Sequence, residues 1–227
     1  MKTVAPETEI EIPLDGAIHL GDLGLPPRAP GIVLFAHGSG SSRLSARNRY
    51  VAGVLRDAGI ATLLFDLLTE REDRVYENRF DIALLTRRLL EATRWVRKQP
   101  QARGLALGYF GASTGAAAAL QAAAALGPEV QAVVSRGGRP DLALAELPQV
   151  RAATLLIVGG DDDVVIGLNR RAFDRLQCVK ELEIIPGASH LFEEPGTLEQ
   201  VALLAGRWFA RHLQAAPRAE AKSLGTE

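Results

Sequence analysis

With 227 residues, of which 47% are hydrophobic and 23% charged, the chain has ordinary globular composition and enough length for one large α/β domain or two small ones. A net charge of -1, with its 26 basic residues scattered, argues against nucleic acid or an anionic membrane surface as a partner. Cys178 is the only cysteine, so no internal disulfide can form, and a reducing, cytoplasmic setting is expected.

The opening "MKTVAPETEIEIPLDG" places acids where a secretory signal would place an apolar core, and no apolar run approaches the roughly 20 residues that span a bilayer. Glu7, Glu9 and Glu11 alternate with Thr8, Ile10 and Ile12, which predicts a half-exposed strand. Asp15-Gly16 then predicts a hairpin turn into "AIHLGDLGLP". "GIVLFAHG" and "IATLLFDLL" are short, continuously apolar runs, the pattern of strands covered on both faces. Between them Tyr50, Val51, Val54, Leu55 and Ala58 recur at helical spacing, and Gly59 marks the stop. The charged "TEREDRVYENR" reads as a loop. A long helix follows, with Ile82, Leu85, Leu89, Ala92 and Val96 on one stripe.

"GLALGYFG" reads as a buried strand that runs into an alanine-rich helix, and "VQAVVS", "TLLIVGG" and "KELEIIPG" read as further strands. The last helix carries Leu198, Val201, Ala205 and Trp208 on its inner stripe. A hairpin followed by alternating strands and helices predicts the α/β class: a mostly parallel, doubly wound sheet of about eight strands with helices on both faces. Without a linker or repeat, residues 1–214 are expected to form one domain and 215–227 a disordered tail.

The chemistry centres on Gly111-Ala112-Ser113-Thr114-Gly115, where a strand turns into the alanine helix. Glycine and serine frequencies give roughly 0.07 chance matches of this pattern in such a chain. A tight strand-to-helix turn leaves no room for Cβ atoms on either side, and it thrusts the central hydroxyl beyond the strand end, where open α/β sheets bind ligands. The helix N-terminus supplies free N–H groups and the positive dipole end at the same spot. The plainer alternative is a glycine-rich turn with an N-capping serine.

A serine nucleophile needs a base, and the base needs an orienting acid. Of four histidines, His190 lies just past the last predicted strand, whereas His19, in the N-terminal hairpin, and His212, near the end of the last helix, read as structural or surface residues. The acid is expected at the preceding strand end, in "GGDDDVV". Three adjacent carboxylates repel one another, so at most one is buried beside an imidazole, and Asp162 is assigned. A metal site on these aspartates is the rival reading, but no further cluster has matching spacing. The oxyanion donors are assigned to the N–H groups of Ser39 and Thr114, with Gly40 as fallback and His37 bracing the loop.

Taken in order, GASTG, HGSG, GGDDDVV and PGASHLFEEPG resemble the α/β-hydrolase superfamily, most closely its dienelactone-hydrolase-like branch, over roughly residues 8–213. The resemblance implies a hydrolase without metal or cofactor. It also implies, from the roughly sixteen residues after "VQAVVS", a minimal lid or none. Dienelactone hydrolases use a cysteine where this chain has Ser113, which shifts the expectation to a serine hydrolase of ordinary carboxylic esters. A lactonase or thioesterase is the close alternative, and a catalytically silent binding protein the remote one. The expected partner is a small ester or lactone, with neither nucleic acid nor membrane, and a homodimer is left open. Arg136, past "VQAVVS", is expected to hold a substrate carboxylate; Arg74 is a weaker candidate, since Arg71 and Arg74 sit among Glu70, Glu72 and Asp73 as surface ion pairs do.

Overall fold

The computed structural model describes residues 7–215. Asp15 and Gly16 both take left-handed backbone, with φ of 52° and 78°, as a two-residue hairpin turn of the I′ kind requires. They join β1 (Glu7–Leu14) to β2 (Ala17–Gly24) in antiparallel register, Leu14 facing Ala17. β3 (Gly31–Ala36), β4 (Ala61–Phe65), β5 (Ala106–Ala112), β6 (Val130–Arg136), β7 (Ala153–Gly159) and β8 (Lys180–Ile185) complete one sheet of eight strands in the order β1-β2-β4-β3-β5-β6-β7-β8. β2 meets β4 antiparallel, and every pairing from β4 to β8 is parallel. β3, β4, β5 and β7 are buried along their whole length, which is why they read as unbroken apolar runs.

Helices cover both faces. α1 (Ala46–Asp57) and α6 (Thr197–His212) bury Val51, Leu55, Val201, Ala205, Trp208 and Phe209 against one side. α3 (Ile82–Lys98), α4 (Thr114–Leu126) and α5 (Asp163–Arg175) cover the other. In α4 the alanines at 116–119, 122 and 123 are all fully buried, and their small size lets the helix lie close to the sheet and to α3.

Two local readings change. The segment after β4 is not simply a loop: α2 (Glu70–Asp73) forms one turn, closed by a reciprocal capping box between Thr69 and Glu72, and a 3₁₀ turn follows over Tyr76–Phe80. Tyr50 points outward at 42% exposure because α1 turns Asn48, Val51, Ala52, Leu55 and Arg56 inward. Arg56 is drawn in by Glu7 at 2.7 Å and by Thr62 Oγ1 at 3.1 Å, tying α1 to β1 and β4. Between β6 and β7 there are only two short 3₁₀ turns, Pro140–Ala143 and Leu147–Gln149, so the minimal lid follows.

The sheet ends in two charged edges. β1 exposes Thr8, Glu9, Glu11 and Pro13, and β8 carries Lys180, Glu181 and Glu183. No helix among the described residues is long and apolar enough to cross a membrane. The tail expected over 215–227 lies, from residue 216 onward, outside the described residues.

Candidate functional site

β5 ends at Ala112, and Ser113 takes φ 50° and ψ −122°, a conformation that L-residues rarely hold. The surroundings over-determine it. The Ser113 N–H donates to the Arg136 carbonyl at 3.3 Å, and the Ser113 carbonyl accepts from the N–H groups of Ala116 and Arg139, both at 3.1 Å. A Cβ at Gly115 would land on the carbonyl oxygens of Ala36 and His37, and one at Gly111 on the Cα of Ala116, so only glycine fits either place. No side chain caps α4, so its first N–H groups, those of Thr114 and Gly115, are not taken up by a cap. Ser113 is not the capping serine of an ordinary turn.

β7 and β8 deliver the next two groups on the same edge of the sheet. Asp162 is the N-cap position of α5 and half-buried, whereas Asp161 and Asp163 are exposed. Its Oδ2 accepts from His190 Nδ1 at 2.6 Å, with the proton placed on that nitrogen, which leaves Nε2 as the free acceptor. The turn bearing His190 is pinned in turn: the Ser189 N–H donates to Glu194 Oε2 at 3.0 Å, and Asp161 N–H to the Ala188 carbonyl at 3.0 Å. Ser113 and His190 line one cavity of about 220 Å³. No hydrogen bond joins them among the described residues, a looseness usual before substrate aligns the pair.

The loop after β3 forms the opposite wall. His37 is buried and held neutral by that burial, its Nε2 accepting from the Leu67 N–H at 3.0 Å and its Nδ1 donating to the Gly38 carbonyl at 3.1 Å. It braces the loop, as expected. Ser39 lines the cavity beside Ser113, and a Cβ on Gly38 would lie 3.0 Å from the Ser113 Cβ, so the loop backbone passes directly over the hydroxyl-bearing turn. Thr114 is buried at the start of α4. Gly40, at φ 67°, is placed differently from the expectation: it does not line the cavity of Ser113 but, with Gly38 and Ser39, a smaller one beside His37, Leu68, Asp73 and Arg79.

A brace that the sequence did not reveal holds this loop. Arg43 donates to Asp22 Oδ1 and Oδ2 at 2.9 and 3.0 Å and to Glu9 at 2.9 Å, and lies 3.3 Å from Asp66; its own N–H reaches Asp66 at 2.8 Å. The Arg43 and Asp22 side chains are only 10% and 11% exposed, so removing one strands the other charge. Arg43→Met should lower unfolding free energy by about 2 to 4 kcal/mol in urea titrations. A change under about 0.5 kcal/mol would mean that the cluster is solvated and adds nothing.

Arg136 closes β6 and pairs with Ala112 across the sheet, which places it in the same cavity. It is 6% exposed and meets no carboxylate among the described residues; its Nη2 donates to Asn48 Oδ1 at 3.2 Å, and its guanidinium lies 5.9 Å from the Phe192 ring. Arg47 and Asn48, from the first turns of α1, share the cavity and were not foreseen. Arg74, by contrast, is exposed at the end of α2 and outside the cleft. The local ion pairs are not the expected ones either: Asp73 pairs with Arg79 and Glu72 with Arg88. Cys178 sits at the opposite end of the strands, before β8 and against Thr154, with its thiol pKa raised by burial. Among the described residues no group of three or more metal-ligating side chains gathers.

Known proteins share this fold. The chain matches the Dienelactone hydrolase family over residues 24–218. It is 55% identical to a dienelactone hydrolase from Anabaena variabilis, whose crystal structure superposes with a TM-score of 0.90 over 93% of this chain and 100% of that one. A lidless α/β serine hydrolase from Xanthomonas campestris, 24% identical, shares the fold with a TM-score of 0.73 over 93% of this chain and 97% of that one. Two curated proteins from Mycobacterium tuberculosis strains, which carry the provisional name phosphoribosyl transferase, are 61% identical over 193 residues, covering 85% of this chain but 44% of theirs. By the extent of the family match and by its fold, this chain is an α/β hydrolase that belongs to the dienelactone hydrolase family.

Proposed function

We propose that the chain hydrolyses carboxylic esters through an acyl-enzyme on Ser113. The observation that carries the reading is the 2.6 Å Asp162–His190 hydrogen bond opening onto the cavity that Ser113 lines. In this mechanism His190 Nε2 takes the hydroxyl proton as Ser113 Oγ attacks the acyl carbon. The ester C–O bond then breaks, and the same proton leaves with the alcohol. Water, deprotonated by His190, displaces the acyl group as a carboxylic acid and restores Ser113. Asp162 keeps the imidazole in the required tautomer and stabilises its cation. The N–H groups of Ser39 and Thr114 receive the oxyanion, each donor being worth about 3 to 4 kcal/mol. The cavity is smaller than the ~300 to 1,000 Å³ usual for ligand pockets, which favours short acyl groups.

A lactonase is the second reading, favoured by the family and by the Anabaena variabilis relative. Ring opening uses the same groups, with the alcohol still tethered to the acyl product. The transferase name of the Mycobacterium tuberculosis relatives describes proteins of which this chain spans less than half, and we assign to this chain only the hydrolytic part.

A fluorophosphonate probe should label the folded protein stoichiometrically at Ser113, with parallel turnover of p-nitrophenyl esters that falls as the acyl chain lengthens. A folded protein that neither reacts nor turns over would be a binding protein that has kept only the fold.

A further inference from the structure

The cavity beside Ser113 holds more positive charge than acyl transfer uses. Among the described residues Arg136 is buried without an acidic partner, and its Nε, also buried, has no hydrogen-bond acceptor. Burial first, and the charge of Arg47 second, push its pKa down to about 10, so it remains cationic at neutral pH in an environment that opposes the charge. Arg47 is similar. Its Nη1 reaches the exposed Glu193 at 3.1 Å, a pair of little strength, while its Nε is buried and unpartnered. Both guanidiniums line the same 220 Å³ cavity. So do Ser45 and Asn48 at the N-terminus of α1, a 12-residue helix with no acid in its first turn to offset the positive dipole end. Among the described residues no carboxylate lines the cavity, and Asp162, behind His190, is engaged by that imidazole.

We infer that this cavity is a subsite for a dianionic phosphate group, and that the preferred substrate is a small phosphorylated carboxylic ester or lactone whose phosphate is bound and not cleaved. The substrate half of the inference rests on the hydrolytic reading above. A carboxylate, with one charge, matches Arg136 alone, as the sequence suggested. Phosphate carries nearly two charges at neutral pH and three acceptor oxygens, so it can engage both guanidiniums that line the cavity and offset the repulsion between Arg47 and Arg136. The bond that breaks is still the acyl C–O bond, and the phosphomonoester stays on whichever product bears it.

The test is calorimetric titration of the full chain with inorganic phosphate and, separately, acetate at neutral pH. Phosphate should bind at least about tenfold more tightly than acetate, and Arg47→Gln should weaken it by about tenfold or more. Kinetically, the ratio of kcat/KM for a phosphorylated ester over its neutral isostere should fall by about tenfold or more in Arg47→Gln and in Arg136→Gln. Arg47 is more than one-third exposed, so its variant carries the test if Arg136→Gln does not fold. Equal affinity for the two anions, tighter binding of acetate, or unchanged phosphate affinity in Arg47→Gln overturns the subsite. Calorimetry needs no turnover: phosphate binding without any ester hydrolysis would sink the hydrolytic reading and retain the subsite, and hydrolysis without phosphate binding would do the reverse.

Discussion

Ser113→Ala should lower kcat/KM on a short p-nitrophenyl ester by about 10⁵- to 10⁶-fold, the loss seen when a serine nucleophile is removed from an otherwise intact site. The fold should survive. The strained backbone at residue 113 is held by three main-chain hydrogen bonds, none of which involves the hydroxyl, and alanine keeps the Cβ that the turn already accommodates. Near-ultraviolet circular dichroism and the urea midpoint should therefore match those of the unmodified protein. A folded variant that still accumulates an acyl-enzyme would move the nucleophile to another residue. Cys178 is a poor replacement, since its thiol pKa is raised by burial and it lies at the far end of the strands.

Asp162→Asn should cost about 10³- to 10⁴-fold in kcat, with KM little changed. In place of the carboxylate that accepts from Nδ1 at 2.6 Å, the amide can donate its NH2 to that nitrogen, so the imidazole carries its proton on Nε2 and presents the wrong tautomer to the hydroxyl. The neighbours serve as controls. Asp161 and Asp163 are exposed, and their asparagine variants should stay within about threefold of the parent enzyme. Asp163, in the first turn of α5, should instead lower stability by about 0.5 kcal/mol through its favourable place at the helix N-terminus. If Asp163→Asn proves the crippling change, the acid has been assigned one residue too early.

What the sequence disclosed follows from how each feature is encoded. Ser113, Asp162 and His190 stand at strand ends in short local motifs, and the chain order of three turns was enough to bring them to one edge. The buried strands were legible for a similar reason: burial on both faces writes itself as an unbroken apolar run. The second wall of the cavity was not. Arg47 and Asn48 look like solvent-facing polar residues of a helix, and nothing local distinguishes them from Arg49, which is exposed; only the approach of the first turn of α1 to the end of β6 gives Asn48 to Arg136. Arg43 is hidden in the same way, because its partners Glu9, Asp22 and Asp66 come from three separate strands or strand ends. The misreading of α2 had a remedy in the sequence itself: Thr69 followed three residues later by Glu72 is the capping-box spacing, masked by the density of charge around it.

The charged borders of the sheet bear on self-association. An outermost strand offers a row of unpaired backbone groups to any other chain, and a second copy of the same strand is the commonest intruder in a concentrated solution. Here two β1 strands meeting side by side would set glutamates against glutamates, with Pro13 lacking a donor to share, and β8 presents Glu181 and Glu183 to a like partner. The charge on both outermost strands thus disfavours edge-to-edge pairing of copies through β1 or β8, and with it fibril-like stacking.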